Sequence, residues 1–250
     1  MSGHSKWAQI KRSKGAADAK RGQVFTKLGR ELAVAVREGG PSPDGNPRLR
    51  LAIDRARAAN MPIDTIDRAI KRAAGGGDGA ALEQIVYEGY GPGGAALLVE
   101  VLTDNRKRAV AEVRNAFSRG GGSLGESGCV AWLFDQRGVL TVESGGQDPD
   151  EIELRAIDAG AEDVRVDGDL VEVYTTPGDL EAMRSALVQT GANVVGAEIA
   201  MVPKTVIELG PNQAGSTLRL MERIEDLDDV QKVFTNLDIS EAAVAEYAER

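Results

Sequence analysis

Residues Gly138 to Val202 read GVLTVESGGQDPDEIELRAIDAGAEDVRVDGDLVEVYTTPGDLEAMRSALVQTGANVVGAEIAMV. The spacing of apolar side chains alternates over 138–143, takes a helical period over 149–160, and alternates again over 162–167 and 169–175 on either side of Asp167-Gly168. A second helical stretch at 178–190 and a strand at 193–202 complete the set. The order β-α-β-β-α-β is the split unit of a ferredoxin-like fold.

The flanking segments use the same grammar less completely. Upstream, Ala95 to Leu102 reads as an apolar strand, Arg106 to Arg119 as a helix with Val110, Val113 and Phe117 inward, and Gly128 to Phe134 as another strand. Downstream come a strand at Thr205 to Leu209, a helix at Gly215 to Ile224 and a helix or strand element at Val230 to Ile239. The downstream pieces are too few to stand alone, but they complete the strand-helix-strand at 95–134 when the central unit is inserted between them. The reading is therefore a discontinuous α/β domain of residues 76–134 plus 204–250, interrupted by an inserted domain of residues 135–203. Arg137-Gly138 and Val202-Pro203 are its crossing points.

Nearer the start the period is helical throughout. Phe25, Leu28, Leu32 and Val36 share one face of a helix over 22–38, stopped by Gly39-Gly40-Pro41. Asn46-Pro47 supplies an N-cap and a proline at the first helical position for a second helix through Leu49, Ile53 and Ala56. After Asn60-Met61-Pro62, Ile63, Ile66 and Ile70 mark a third, with Asp64 and Asp67 in its first turn and Lys71 and Arg72 in its last, an order that suits the helix dipole. The expectation is a basic tail over 1–21, a three-helix domain over 22–75 and a glycine-rich hinge at 73–79. The fold class is α+β, multidomain.

Charge is unevenly divided. Residues 1–75 hold 16 Lys and Arg against 7 Asp and Glu, whereas residues 76–250 hold 14 against 32. One end is basic and the remainder strongly acidic. His4 is the only histidine and Cys129 the only cysteine, which removes histidine-based triads, histidine-rich zinc sites and intrachain disulfides. The longest apolar runs, such as Ala95 to Val99, are far below the roughly 20 residues of a membrane span. A cytosolic protein without membrane contact or cofactor is the simplest reading, and catalysis is disfavoured.

The glycine patterns Gly89-Gly91-Gly94 and Gly120-Gly122-Gly125 match a dinucleotide fingerprint in letters only. The first precedes a strand and the second follows a helix, so both read as turns. Glu225, Asp226, Asp228 and Asp229 lack calcium-loop spacing and read as a solvated helix end. Cys129 reads as a small buried hydrophobe.

The basic run differs in kind. Lys6, Lys11, Arg12, Lys14, Lys20 and Arg21 alternate with small residues around His4 and the aromatic Trp7, whose exposed indole would stack on a base. Lys27 and Arg30 continue the run on the first helix, and Arg48 and Arg55 line up seven residues apart on the second. Arg106, Lys107, Arg108 and Arg114 extend the track or form an exposed helix face capped by Asp104. Nucleic-acid binding is the function this distribution favours.

Several blocks carry a family resemblance. Gly3-His4-Ser5-Lys6-Trp7, Asp18-Ala19-Lys20-Arg21, Tyr87-Glu88-Gly89-Tyr90-Gly91-Pro92-Gly93-Gly94, Thr103-Asp104-Asn105-Arg106, Gly121-Gly122-Ser123-Leu124-Gly125 and Leu227-Asp228-Asp229-Val230-Gln231 are similar to the YebC/PmpR family. The resemblance implies three domains, one inserted in another, and no enzymatic activity. Members are described as DNA-binding transcriptional regulators. Others include the mitochondrial translational activator of cytochrome c oxidase and bacterial proteins linked to ribosomes stalled on proline-rich sequence. DNA and the ribosome are thus alternative partners. Relatives often carry Lys then Cys or His after the Phe-Ser pair, where this chain has Arg119-Gly120, so no role passes to a side chain at 120.

Overall fold

The computed structural model describes residues 6, 7, 10, 21–75 and 82–248. His4, Lys11, Arg12, Lys14, Lys20 and most of the glycine-rich hinge lie outside the described residues, as does the side chain of Arg21.

Three helices come first: α1 (Arg21–Gly39), α2 (Pro47–Ala58) and α3 (Ile63–Ala74). Leu28, Leu32 and Val36 of α1 meet Leu49, Ile53 and Ala56 of α2, with Met61 and Ile66 closing the cluster, so the apolar stripe read from the sequence is the core face. Asn46 fixes the corner between the first two helices. Its side-chain oxygen accepts from Leu49 N–H at 3.0 Å while its amide donates to the carbonyls of Ala35 at 2.7 Å and Gly40 at 2.8 Å. A Cβ on Gly39 would fall 2.6 Å from that same amide, which is why the first helix ends in glycine there.

The chain continues through β1 (Glu83–Tyr90), β2 (Ala96–Thr103), α4 (Arg106–Arg119) and the short β3 (Ser123–Leu124). Then follow β4 (Phe134–Glu143), α5 (Pro149–Asp158), β5 (Asp163–Asp167), β6 (Leu170–Thr175), α6 (Leu180–Gln189) and β7 (Asn193–Pro203). It finishes with α7 (Pro211–Glu225), β8 (Val230–Thr235) and α8 (Glu241–Ala248). One sheet has the order β3-β1-β2-β8 and the other β5-β6-β4-β7, all pairs antiparallel. The second is the sheet order of a ferredoxin-like unit. In the first, β8 reaches back across more than a hundred residues to pair with β2.

β2 explains that reach, because it is apolar on both faces. Leu97, Val99 and Val101 pack beneath α4 and α7, while Ala96 and Leu98, with Phe234 of β8, pack against Val139, Tyr174, Ala200 and Val202 of the other sheet. A strand buried on both sides needs a partner along each edge. β1 takes one and β8 the other.

Four expectations are corrected. The strand expected at 128–134 is instead a loop ending in a short 3₁₀ turn at Ala131–Leu133, and β4 starts at Phe134 rather than 138. The Glu88 carboxylate accepts the N–H groups of Gly128 at 2.6 Å, Val130 at 2.8 Å and Ala131 at 2.8 Å, taking them away from any ladder. Gly89 lies inside β1, where a Cβ would stand 2.5 Å from the Ser123 carbonyl, so this glycine marks the close approach of β3 and not a turn. The segment 205–209 makes only a single parallel bridge, Ile207 to Leu237.

The fourth correction concerns Trp7. It is 1% exposed and packs edge-on against Tyr247 of α8, ring centroids 5.4 Å apart, within the cluster formed by α4, α7 and α8. Its indole is unavailable for stacking on a base. No helix of the described residues is long and apolar enough to cross a membrane.

Trp7→Ala should therefore cost about 3–5 kcal/mol in denaturant unfolding. A change within about 0.5 kcal/mol, normal for a surface site, would return the ring to solvent.

Candidate nucleic-acid interface

The cations of α1 divide between two faces, and one of them turns inward. α7 ends at Glu225 with Asp226 as its cap, leaving carbonyls without partners inside the helix and a partial negative charge. α1 supplies what is missing: Lys27 donates to the Glu225 carbonyl, Gln23 to that of Asp226, and Arg30 to that of Asp228 at 2.6 Å. Asp226 and Asp228 are exposed, as a solvated helix end would be, but Asp229 departs from that reading and is buried.

Asp229 is 3% exposed. One carboxylate oxygen accepts from Arg30 at 2.7 Å; the other accepts from the Thr103 hydroxyl at 2.7 Å and from Arg108 at 2.8 Å. Burial penalises its charge, yet the hydrogen bonds from Arg108 and Thr103 and the charge of Arg30 outweigh that and hold the carboxyl below the usual range. Asn105, not Asp104, caps α4, accepting from Arg108 N–H at 3.0 Å, and Asp104 pairs with the Arg108 guanidinium at 2.8 Å.

Other cations picked out in the sequence are also engaged internally. Arg48 pairs with Glu38 and reaches Gln84 at 3.2 Å. Arg55 lies 2.7 Å from Glu31 and 3.6 Å from Glu198 of β7; burial opposes its charge, but these carboxylates raise its pKa above the ordinary guanidinium value. Lys6 stands 3.6 Å from Asp167. Lys27, Arg30, Arg48 and Arg55 therefore join the helical part to the two α/β parts. Nucleic acid would have to displace protein to reach Lys27, Arg30 and Arg55, whereas Arg48 is exposed.

Arg106, Lys107 and Arg114 are exposed on α4. The structure adds Arg37, Arg68 and Arg72, which the sequence reading did not select, beside Arg30, which it did. Between α1 and α3 runs a groove of about 530 Å³ lined by Arg30, Arg37, Arg68 and Arg72, by Phe25, Met61, Ala69 and Ala73, and at one end by Leu82 and Asp104. Asp104 lies two residues before the first residue of α4, so the groove lining ends close to the start of that helix. Arg68 is held along its own helix, donating to the Asp64 carbonyl at 3.0 Å and Thr65 Oγ1 at 3.1 Å. Arg68 and Arg72 are four residues apart, and that spacing, which places them on one face, was the available signal.

Neither glycine pattern forms a phosphate cradle at a helix start. At Gly120, which caps the end of α4, an added Cβ would stand 2.5 Å from Leu220, so the place of a side chain there is filled by α7. Cys129 is partly exposed; burial and the nearby Glu88 charge raise its pKa, so the thiol stays protonated and unreactive. Among the described residues, no group of three or more His, Cys, Asp or Glu is placed to hold a metal ion.

Fold and groove together define a multidomain α+β protein whose helical part presents a cationic groove beside an acidic body. Residues 5–76 match the family model described as the TACO1/YebC protein N-terminal domain, and residues 82–237 match that of the TACO1/YebC second and third domain. The chain belongs to the TACO1/YebC family. It is 55% identical over 245 residues to a "Probable transcriptional regulatory protein" of Moorella thermoacetica, covering 97% of each chain, and 51% identical to one of the same name from Herpetosiphon aurantiacus, covering 100% of each. The crystal structure of a conserved hypothetical protein from Aquifex aeolicus superposes with a TM-score of 0.82 at 43% identity, over 90% of this chain and 93% of that one.

The Asp229 site carries a pH signature. A carboxyl whose folded pKa is depressed stabilises the fold above its unfolded value, near about 3.9, and that contribution is lost as pH falls through the folded value. Asp229→Asn should cost about 3 kcal/mol at neutral pH and flatten the acid limb of a stability-against-pH profile. An unchanged acid limb would show that the carboxylate is not the group being titrated.

Proposed function

We propose that the protein is a non-enzymatic, cytoplasmic nucleic-acid-binding regulator of gene expression, acting on DNA as a transcriptional regulator through the α1–α3 groove and the exposed start of α4. One observation carries the reading. After the internal ion pairs are assigned, Arg68 and Arg72 line the groove and Arg106, Lys107 and Arg114 are exposed on α4. This is the electrostatic footprint expected of a phosphate-binding track. The names of the relatives support regulation of transcription. The relatives' description as regulatory proteins supports the non-enzymatic reading.

Contacts from this face are to phosphates rather than base edges, so affinity is salt-dependent and sequence preference modest. The test is duplex binding by fluorescence anisotropy between about 50 and 200 mM salt, for the native chain and for Arg68→Ala with Arg72→Ala. The double variant should weaken binding and lower the slope of log K against log salt by about one for each residue removed. An unchanged slope would remove the groove from the interface. Sedimentation with ribosomes is the companion measurement: salt-resistant co-sedimentation without duplex binding would replace DNA with the ribosome as partner.

A further inference from the structure

We propose that the α1–α3 groove is a single-strand site, seating one unstacked base on its apolar floor while the arginines of its rim hold the neighbouring phosphates. The inference rests on the nucleic-acid reading above and narrows its ligand. A surface that only gathers duplex phosphates has no use for an apolar recess. Phosphates lie outside a duplex, its bases are stacked within, and extracting one costs free energy before any contact is made.

The groove has such a recess. Phe25, Met61, Ala69 and Ala73 form its floor, and Phe25, Ala69 and Ala73 are only partly covered by the helical core. Gly29 and Ala33 follow Phe25 at four-residue steps along α1 and line the same wall, and a Cβ built on Gly29 meets nothing within 4 Å, so the space beside it is open. Small residues on both walls keep the helices from filling it. An aromatic ring at the edge of an open apolar slot matches the flat face that every base presents, and this stacking is tolerant of sequence.

Charge settles which occupant suits it. Arg37, Arg68 and Arg72 stand along the rim, and the one acid there, Asp104, is neutralised by Arg108 at 2.8 Å. Arg68 and Arg72 are one helical turn apart, about 6 Å along the axis, of the order of one nucleotide repeat in an extended strand. Guanidinium groups suit phosphates on either side of an inserted base. An uncharged apolar peptide would leave those cations unused, and a duplex would leave the floor unused.

The test uses the full chain and an oligonucleotide of about 12 nucleotides carrying 2-aminopurine at one position, as single-stranded DNA, as the same sequence in RNA, and as a duplex. Binding of either single strand should change 2-aminopurine emission, and the duplex should not. Ala69→Leu, which narrows the recess without touching a charge, should weaken single-strand binding about tenfold and leave duplex binding and its salt slope as they were. Phe25→Leu, which keeps apolar volume in the core but removes the ring, should act in the same direction. The thermal midpoint of each variant reports whether the bundle is intact. The emission change in the native chain stands even if a variant unfolds. Preference for RNA over DNA or the reverse is compatible with the site and identifies which strand it takes. Native protein that binds single strand and duplex equally, with no emission change, would overturn the base-seating inference while leaving the nucleic-acid reading in place. Native protein that binds no form of nucleic acid would overturn both.

Discussion

The carboxylate of Asp229 is the buried centre of the joint between the first helix and the domain built around β2 and β8. It sits at the start of β8, receives Thr103 from the end of β2, Arg108 from α4 and Arg30 from α1, and so binds four separate stretches of chain at one point. Removing a charge from water is costly, and an ion pair in such a place is weak evidence of net stability compared with an apolar replacement. What it does provide is a single geometry. Two guanidinium groups and a hydroxyl can satisfy both oxygens in few arrangements, so α1 docks in one register on the end of α7. Lys27 and Gln23, donating to the last carbonyls of that helix, reinforce the same register through groups any helix end must satisfy.

The register matters because it sorts the cations. A helix carrying basic residues on two sides must turn one side toward whatever it docks on. Here the docked side meets an acidic helix end and is neutralised there, while the arginines of α3 line the groove. The acidic body thus anchors the helical part by taking up the cations of its docked side.

Much of the fold was legible in the sequence, for reasons tied to particular residues. The core face of α1 followed from Leu28, Leu32 and Val36, and its corner from Asn46-Pro47, because local period and capping chemistry decide both. The β-α-β-β-α-β unit followed from period alone. β1 was not recognised, since Gly89 and the glycines that follow it look like a loop until β3 is known to approach Gly89. The loop at 128–133 was misread as a strand because its partner is the Glu88 carboxylate, forty residues upstream, and strand propensity carries no information about such a partner. Trp7 was misplaced in the same way: an aromatic in a basic run reads as exposed, and only Tyr247, at the other end of the chain, reveals that it is core.

The site was less legible than the fold, and the difference has one physical cause. A run of cations shows that positive charge is present, but not which charges the protein itself consumes. Lys27, Arg30, Arg48 and Arg55 look equivalent in sequence to Arg37, Arg68 and Arg72. Lys27, Arg30 and Arg55 meet carbonyls and carboxylates of distant segments, including Glu198 from the inserted unit and Asp229 from beyond it, while Arg48 pairs with Glu38 and reaches the Gln84 amide. Internal pairing comes first energetically, since these partners are held at high local concentration with their conformational entropy already spent, while an external polyanion must also displace counterions and order itself. The functional charge of such a protein is therefore the remainder left by its own folding, and that remainder can be located only once the long-range pairs are known.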